Sequence, residues 1–175
     1  EYGDVSAIKD CGEYREVTVD GKTVKARAVL IATGSDYNKL GVPGEAEYYG
    51  RGVHYCATCD GAFYREKRLV AVGGGNSGVQ EALFLTRFAS HIDLLARSSV
   101  KASQVLQDEL QKFVDEGKVT IHLNTTTEAI VADESGKVVK VTATKDGEPT
   151  EFETDGVFVF IGLKPNTQFL AGSGI

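Results

Sequence analysis

Arg68-Leu69-Val70-Ala71-Val72-Gly73-Gly74-Gly75-Asn76-Ser77-Gly78 decides the fold. Five residues that start basic and continue apolar read as a buried strand, and a helix pattern opens at Ser77 with Val79, Ala82, Leu83 and Leu85. Between them, Gly73, Gly75 and Gly78 satisfy G-x-G-x-x-G. The pattern alone is weak, but placed between strand and helix it reads as a dinucleotide loop. Gly73 allows the tight turn, Gly75 lets the backbone approach a pyrophosphate, and Gly78 permits close helix–strand packing. The free N–H groups around Asn76 and Ser77 would face the anion. The other reading is a plain structural turn.

Downstream, His91–Ala96 reads as a second strand. Ser103 is the expected N-cap of a helix with Leu106, Leu110, Phe113 and Val114 on one face, and Val119–Leu123 is a third strand. The order β-α-β-α-β is half of a doubly wound sheet, so the fold class is α/β with a Rossmann-like dinucleotide-binding domain. A β-meander follows over Glu128–Ala132, Val138–Thr144 and Glu151–Glu153, turning at Ser135-Gly136 and Asp146-Gly147. A buried strand then runs Val157–Ile161 and ends at Gly162. Upstream, residues 4–34 read as another meander, hinged at Asp20-Gly21 and closed by the apolar run Val29-Leu30-Ile31-Ala32, expected as a strand buried on both faces. Residues 36–52, rich in glycine and with Pro43, read as a linker.

In dinucleotide folds an acid after the second strand commonly receives the ribose 2′-hydroxyl. Here that position is Ala96, followed by Arg97-Ser98-Ser99-Val100-Lys101. Arg97 can pair with a 2′-phosphate and the serines can donate to it, which favours NADPH over NADH. The alternative is that Arg97 is a solvated surface charge.

Cys56-Ala57-Thr58-Cys59 carries the second signal. A structural zinc site needs four ligands, and there is no second C-x-x-C; His54, Cys11 and Asp60 lie at spacings that match no standard site. Two inert cysteines are the other alternative. In an α/β context the pair reads as redox-active and points to a reducing compartment, the cytoplasm. The third cysteine, Cys11, sits at a meander turn and reads as structural, while His91 and His122 read as packing or surface residues. A net charge of −6 argues against a nucleic-acid-binding surface, and no apolar run reaches the length of a membrane span.

Cys-Ala-Thr-Cys-Asp-Gly at 56–61 and Gly-Gly-Gly-Asn-Ser-Gly at 73–78 make the chain resemble a low-molecular-weight thioredoxin reductase. The likeness extends from Ala28–Gly34 through Gly50-Arg51-Gly52-Val53 to Ile161–Thr167. That resemblance implies electron flow from NADPH to FAD, to the cysteine pair and on to thioredoxin or a thioredoxin-like disulfide protein. It casts Cys59 as the sulfur facing the flavin, Cys56 as the outer sulfur that attacks thioredoxin, and Asp60 as the proton donor. It places Gly73, Gly75, Asn76, Ser77, Gly78, Arg97, Ser98, Lys101, Ile161 and Gly162 around the nucleotides, and Thr33 and Gly34 near the flavin nucleotide. It divides the chain into part of an FAD-binding domain at 1–43, an NAD(P)H-binding domain at 44–164 and a return linker at 165–175. It also implies a homodimer.

Three departures stand out. The glycine loop expected to hold FAD is missing, as is the Gly-Asp segment that completes the flavin site, so FAD belongs to the complete protein. The basic motif after the second strand is reduced to Ala96-Arg97-Ser98 with Lys101. Two competing readings are an NADH-linked peroxiredoxin reductase flavoprotein, against which the missing acid at Ala96 argues, and a dinucleotide-binding module without catalysis, which would have no use for the cysteine pair.

Overall fold

A computed structural model describes residues 2–175. They divide into two compact units, one of the described residues up to Asp36 together with Leu163–Ile175, the other Tyr37–Gly162.

In the first unit, β1 (Val5–Asp10), β2 (Arg15–Val19) and β3 (Lys22–Ala26) form an antiparallel sheet in that order. The turn between β2 and β3 is Asp20-Gly21, with φ of 48° and 75°. Two successive positive φ angles suit the right-handed twist of a hairpin, which is why Asp-Gly marks one. The strand expected at Val29–Ala32 does not form: the segment has no strand assignment, and Leu30 is 91% exposed. A strand buried on both faces needs neighbours to take its hydrogen bonds and cover its side chains. No strand among the described residues pairs with it. Beyond it, β4 (Ser35–Tyr37) pairs with a short strand at Leu163–Pro165.

The second unit begins with β5 (Val53–His54), a helical turn α1 (Ala57–Asp60) and a 3-10 turn at Gly61–Tyr64. Then come β6 (Arg68–Val72), α2 (Asn76–Leu85), β7 (His91–Leu95), α3 (Gln104–Asp115) and β8 (Val119–His122). An antiparallel meander of β9 (Thr125–Ala132), β10 (Val138–Lys145) and β11 (Glu148–Glu153) follows, and β12 (Gly156–Val159) closes the unit. The main sheet is parallel throughout, in the order β5-β12-β6-β7-β8.

Alternation along the strands explains the unbroken apolar runs. Leu69, Ala71, Ile92, Leu94 and Phe158 pack with Val79, Ala82 and Leu85 of α2 and Leu110 of α3. The intervening residues, Val70, Val72, Leu95, Val157 and Val159, pack with Ile130, Val138, Val141 and Phe152 of the meander. Helices cover one face and the meander the other, so both faces of the sheet are apolar. Leu40 and Val42 join the meander-side core, and Ile130 donates its N–H to the carbonyl of Pro43. Residues 37–43 lie in the larger unit.

Ser103 precedes α3 as expected but makes no side-chain cap; its backbone N–H donates to Oδ1 of Asn76 at 2.7 Å. The last sheet strand ends at Val159, short of the expected Ile161, which is exposed.

Candidate functional site

A cleft of about 720 Å³ opens at the C-terminal ends of β6, β7 and β12. From β6 the chain continues through α2 to β7 on one side, while β12 lies on the other, which is the kind of switch point where α/β sheets bind ligands. The glycines divide the work there. A Cβ on Gly73, at φ 142°, would strike the carbonyl oxygen of Phe160, and one on Gly78 would strike that of Gly73. Those two glycines are needed by the fold. Gly75 has nothing within 4 Å of where its Cβ would be, so its missing side chain leaves the cleft open.

Of the residues singled out from sequence, the cleft gathers Gly73, Gly75, Asn76, Ser77, Arg97, Ser98, Lys101, Ile161 and Gly162. Gly78 supports the loop from behind. Oδ1 of Asn76 is engaged by Ser103, so this side chain ties the start of α2 to the start of α3. The backbone N–H of Lys101 donates to the carbonyl of Gly74 at 2.6 Å and fixes the loop after β7 against the glycine turn. Thr33 and Gly34 lie in the smaller unit, where the Thr33 hydroxyl donates to the carbonyl of Asn166 at 2.6 Å.

Sequence reading missed Lys39 and Thr125–Thr127, which also line the cleft. Thr127 Oγ1 is buried there without a hydrogen-bond partner. These residues lie in the linker and in the meander, outside the strand–loop–helix pattern, and no motif marks them. The described lining contains Lys39, Arg97 and Lys101 and no carboxylate, so its charge suits an anionic ligand.

Cys56 and Cys59 form a disulfide at α1, in the same unit as the cleft. Cys56 is the N-cap, its Sγ accepting the N–H of Cys59 at 3.2 Å. Glu81 of α2 accepts the N–H of Ala57 at 3.1 Å and so holds the opening of α1. Cys59 is exposed and Cys56 only half-buried, so exposure does not single out Cys56 as the outer sulfur. Behind the pair, Nδ1 of buried His54 lies 3.1 Å from Oδ2 of Asp60, and Nε2 lies 2.7 Å from the hydroxyl of Tyr64. Burial pushes His54 below its ordinary 6.5 despite the opposing charge of Asp60, and burial pushes Tyr64 up to about 12.

The profile of the pyridine nucleotide-disulphide oxidoreductase family matches residues 3–175. The chain is 47% identical to the thioredoxin reductase of Bacillus subtilis, over 99% of this chain and 55% of that protein. It is 46% identical to that of Listeria monocytogenes, over 99% and 54%. Among solved structures, the Lactococcus lactis thioredoxin reductase superposes with a TM-score of 0.82 at 36% identity, covering all of this chain and 57% of the other. The Giardia duodenalis enzyme gives 0.85 at 29%, covering 97% and 55%. The chain spans about half the length of the curated relatives it matches. With the glycine loop, the cleft and the cysteine pair in place, the chain belongs to the pyridine nucleotide-disulphide oxidoreductase family.

Proposed function

We propose that this chain is the nucleotide-binding and dithiol-bearing part of an NADPH-dependent thioredoxin-disulfide reductase. The observation that carries the reading is the formed Cys56–Cys59 disulfide in the same unit as a carboxylate-free cleft built on a G-x-G-x-x-G turn. The residues fit a dinucleotide: Gly75 leaves room for a pyrophosphate, and the backbone N–H groups at the start of the ten-residue α2 face it. Arg97, Ser98 and Lys101 bind the 2′-phosphate, and Gly73, Asn76, Ser77 and Gly78 shape the pyrophosphate turn. Ile161 and Gly162 flank the nucleotide where β12 ends.

Thr33 and Gly34 would lie near the nucleotide of FAD in the complete protein, where the flavin would supply a two-electron relay between NADPH and the disulfide. The only G-x-G-x-x-G in the 175 residues is the one at 73–78, so these residues hold a single pyrophosphate turn. With FAD bound, Cys59 would be the sulfur on the flavin side; Asp60 supplies a proton as the disulfide opens, and the Cys56 thiolate attacks a thioredoxin-like disulfide to form a mixed disulfide. The named relatives support thioredoxin as the partner class. The protein works in the cytoplasm as a homodimer in this reading; no described helix is long and apolar enough to cross a membrane.

The test uses the complete flavin-loaded protein. Cys56→Ser and Cys59→Ser should each abolish thioredoxin reduction, while hydride transfer from NADPH to the flavin survives, because no cysteine takes part in it. Cys56→Ser leaves the Cys59 thiolate beside the flavin and should show a broad long-wavelength absorbance that Cys59→Ser lacks. The reverse spectra would exchange the roles of the two sulfurs. Normal turnover by either variant removes the pair from the mechanism.

A further inference from the structure

His54 lies two residues before the redox pair, and nothing in the chemistry above uses it. It is 6% exposed, its ring stacked on Phe158 at 5.1 Å and 28°. It touches two polar groups, Asp60 from α1 through Nδ1 and Tyr64 from the 3-10 turn through Nε2. From β12, which pairs with β5 at Phe158, the Phe158 ring covers it. Asp155 acts on Tyr64 from beyond and is itself paired with Lys137 at 3.0 Å and Lys67 at 3.9 Å.

A neutral imidazole carries one N–H, so the two contacts constrain each other. If the proton sat on Nε2, the lone pair of Nδ1 would face the carboxylate of Asp60 at 3.1 Å, two acceptors in contact. With the proton on Nδ1 both contacts become hydrogen bonds: Nδ1–H donates to Asp60 Oδ2, and the Tyr64 hydroxyl donates to Nε2. Burial favours the neutral ring, and the raised Tyr64 hydroxyl keeps its proton to give.

We propose that His54 is a positioning residue for Asp60: the carboxylate keeps the ring proton on Nδ1, the Tyr64 hydroxyl meets Nε2, and Nδ1–H holds the carboxyl group beside the cysteine pair in the orientation needed for proton transfer. The proposal rests on the reading of Asp60 as the proton donor. Opening the Cys56–Cys59 bond takes two electrons, which the bound flavin would supply, and leaves one sulfur protonated; the Asp60 carboxylate takes a proton from solvent on Oδ1 while Nδ1–H stays on Oδ2, passes that proton to the sulfur and returns to the carboxylate. A carboxyl group free to rotate on a four-residue helical turn would spend much of its time turned away.

Two substitutions separate orientation from mere packing. An Asn carboxamide nitrogen reaches the place of Nδ1, and a Gln nitrogen reaches the place of Nε2. In the complete flavoprotein, His54→Gln should slow single-turnover opening of the Cys56–Cys59 disulfide by about tenfold, the rate equivalent of one hydrogen bond to a charged group. His54→Asn should recover most of that rate, and NADPH-to-flavin hydride transfer should be unchanged in both. Equal slowing in the two variants, or none in His54→Gln, overturns the proposal. Nitrogen-15 NMR of the imidazole reads the tautomer without turnover: the proton should lie on Nδ1 in the wild type and move to Nε2 in Asp60→Ala. A wild-type proton on Nε2 also overturns it. A wild type that shows the Nδ1 proton but reduces no thioredoxin defeats the functional reading and leaves the His54–Asp60 hydrogen bond standing.

Discussion

Arg97 is exposed at the rim of the cleft, directly after buried Ala96 at the end of the second strand of the nucleotide fold. Its guanidinium makes no hydrogen bond or ion pair with another described residue, so its donors are free for a ligand phosphate. Arg97→Ala should weaken NADPH binding by about 1.5–3 kcal/mol, the scale of a hydrogen bond to a charged group, and leave NADH nearly unchanged. Parallel titration of both nucleotides against both proteins checks this, and equal losses for the two would remove the 2′-phosphate from the explanation. Arg97, Ser98 and Lys101 were legible because their place after a strand is set by local order. His54 was legible only as a residue near two cysteines; that it meets Asp60 and Tyr64 depends on a helical turn and a 3-10 turn folding back against β12.

At the scale of elements, one buried carboxylate ties three strands together. Asp93 in β7 accepts from Arg68 of β6 at 2.7 Å and from His122 of β8 at 2.8 Å, with His91 at 3.5 Å. Burial pushes its carboxyl up, but the His122 hydrogen bond and the Arg68 guanidinium prevail and hold it below the ordinary 3.8. A carboxyl lowered on folding stabilises the native state at pH values above its unfolded value and loses that contribution as pH falls through the folded value. This stability should therefore be complete above about pH 5 and decline below the ordinary Asp range. Asp93→Asn should cost about 3 kcal/mol at pH 7, the low end for breaking a buried pair because Arg68 is half-exposed, and should flatten the acid limb. Urea unfolding across pH measures both; an unchanged acid limb in the variant would place the acid sensitivity elsewhere. His91 and His122 were read as packing or surface residues, and their partner could not be seen in sequence because the three strands meet only through the parallel register. The helices and strands from 68 to 123 were legible from their periodicity. The two-residue β5 and the four-residue α1 are too short to carry a period and were not.

For the molecule as a whole, the 175 residues contain one dinucleotide turn, and it lies in the larger unit. The chain expressed alone should purify without a stoichiometric flavin band in its visible spectrum, while still binding NADPH. A yellow protein with one flavin per chain would mean that FAD is held by residues other than a glycine loop of this pattern. Leu30 stands almost fully exposed where sequence reading expected a covered strand.

Sequence by itself determined the parallel order of strand, loop and helix, the glycine turn, the cysteine pair and the basic stretch after the second strand, because each is written in residues adjacent along the chain. Tertiary structure decided which residues close the cleft from a distance, Lys39 and Thr125–Thr127 among them, and that residues 37–43 join the larger unit through Leu40 and Val42. It also decided that Asp93 joins three strands, that Glu81 holds the start of the disulfide turn, and that His54 bridges Asp60 and Tyr64. Local propensity fixes which groups a segment offers; which of them meet depends on strand order and on the layers packed over the sheet.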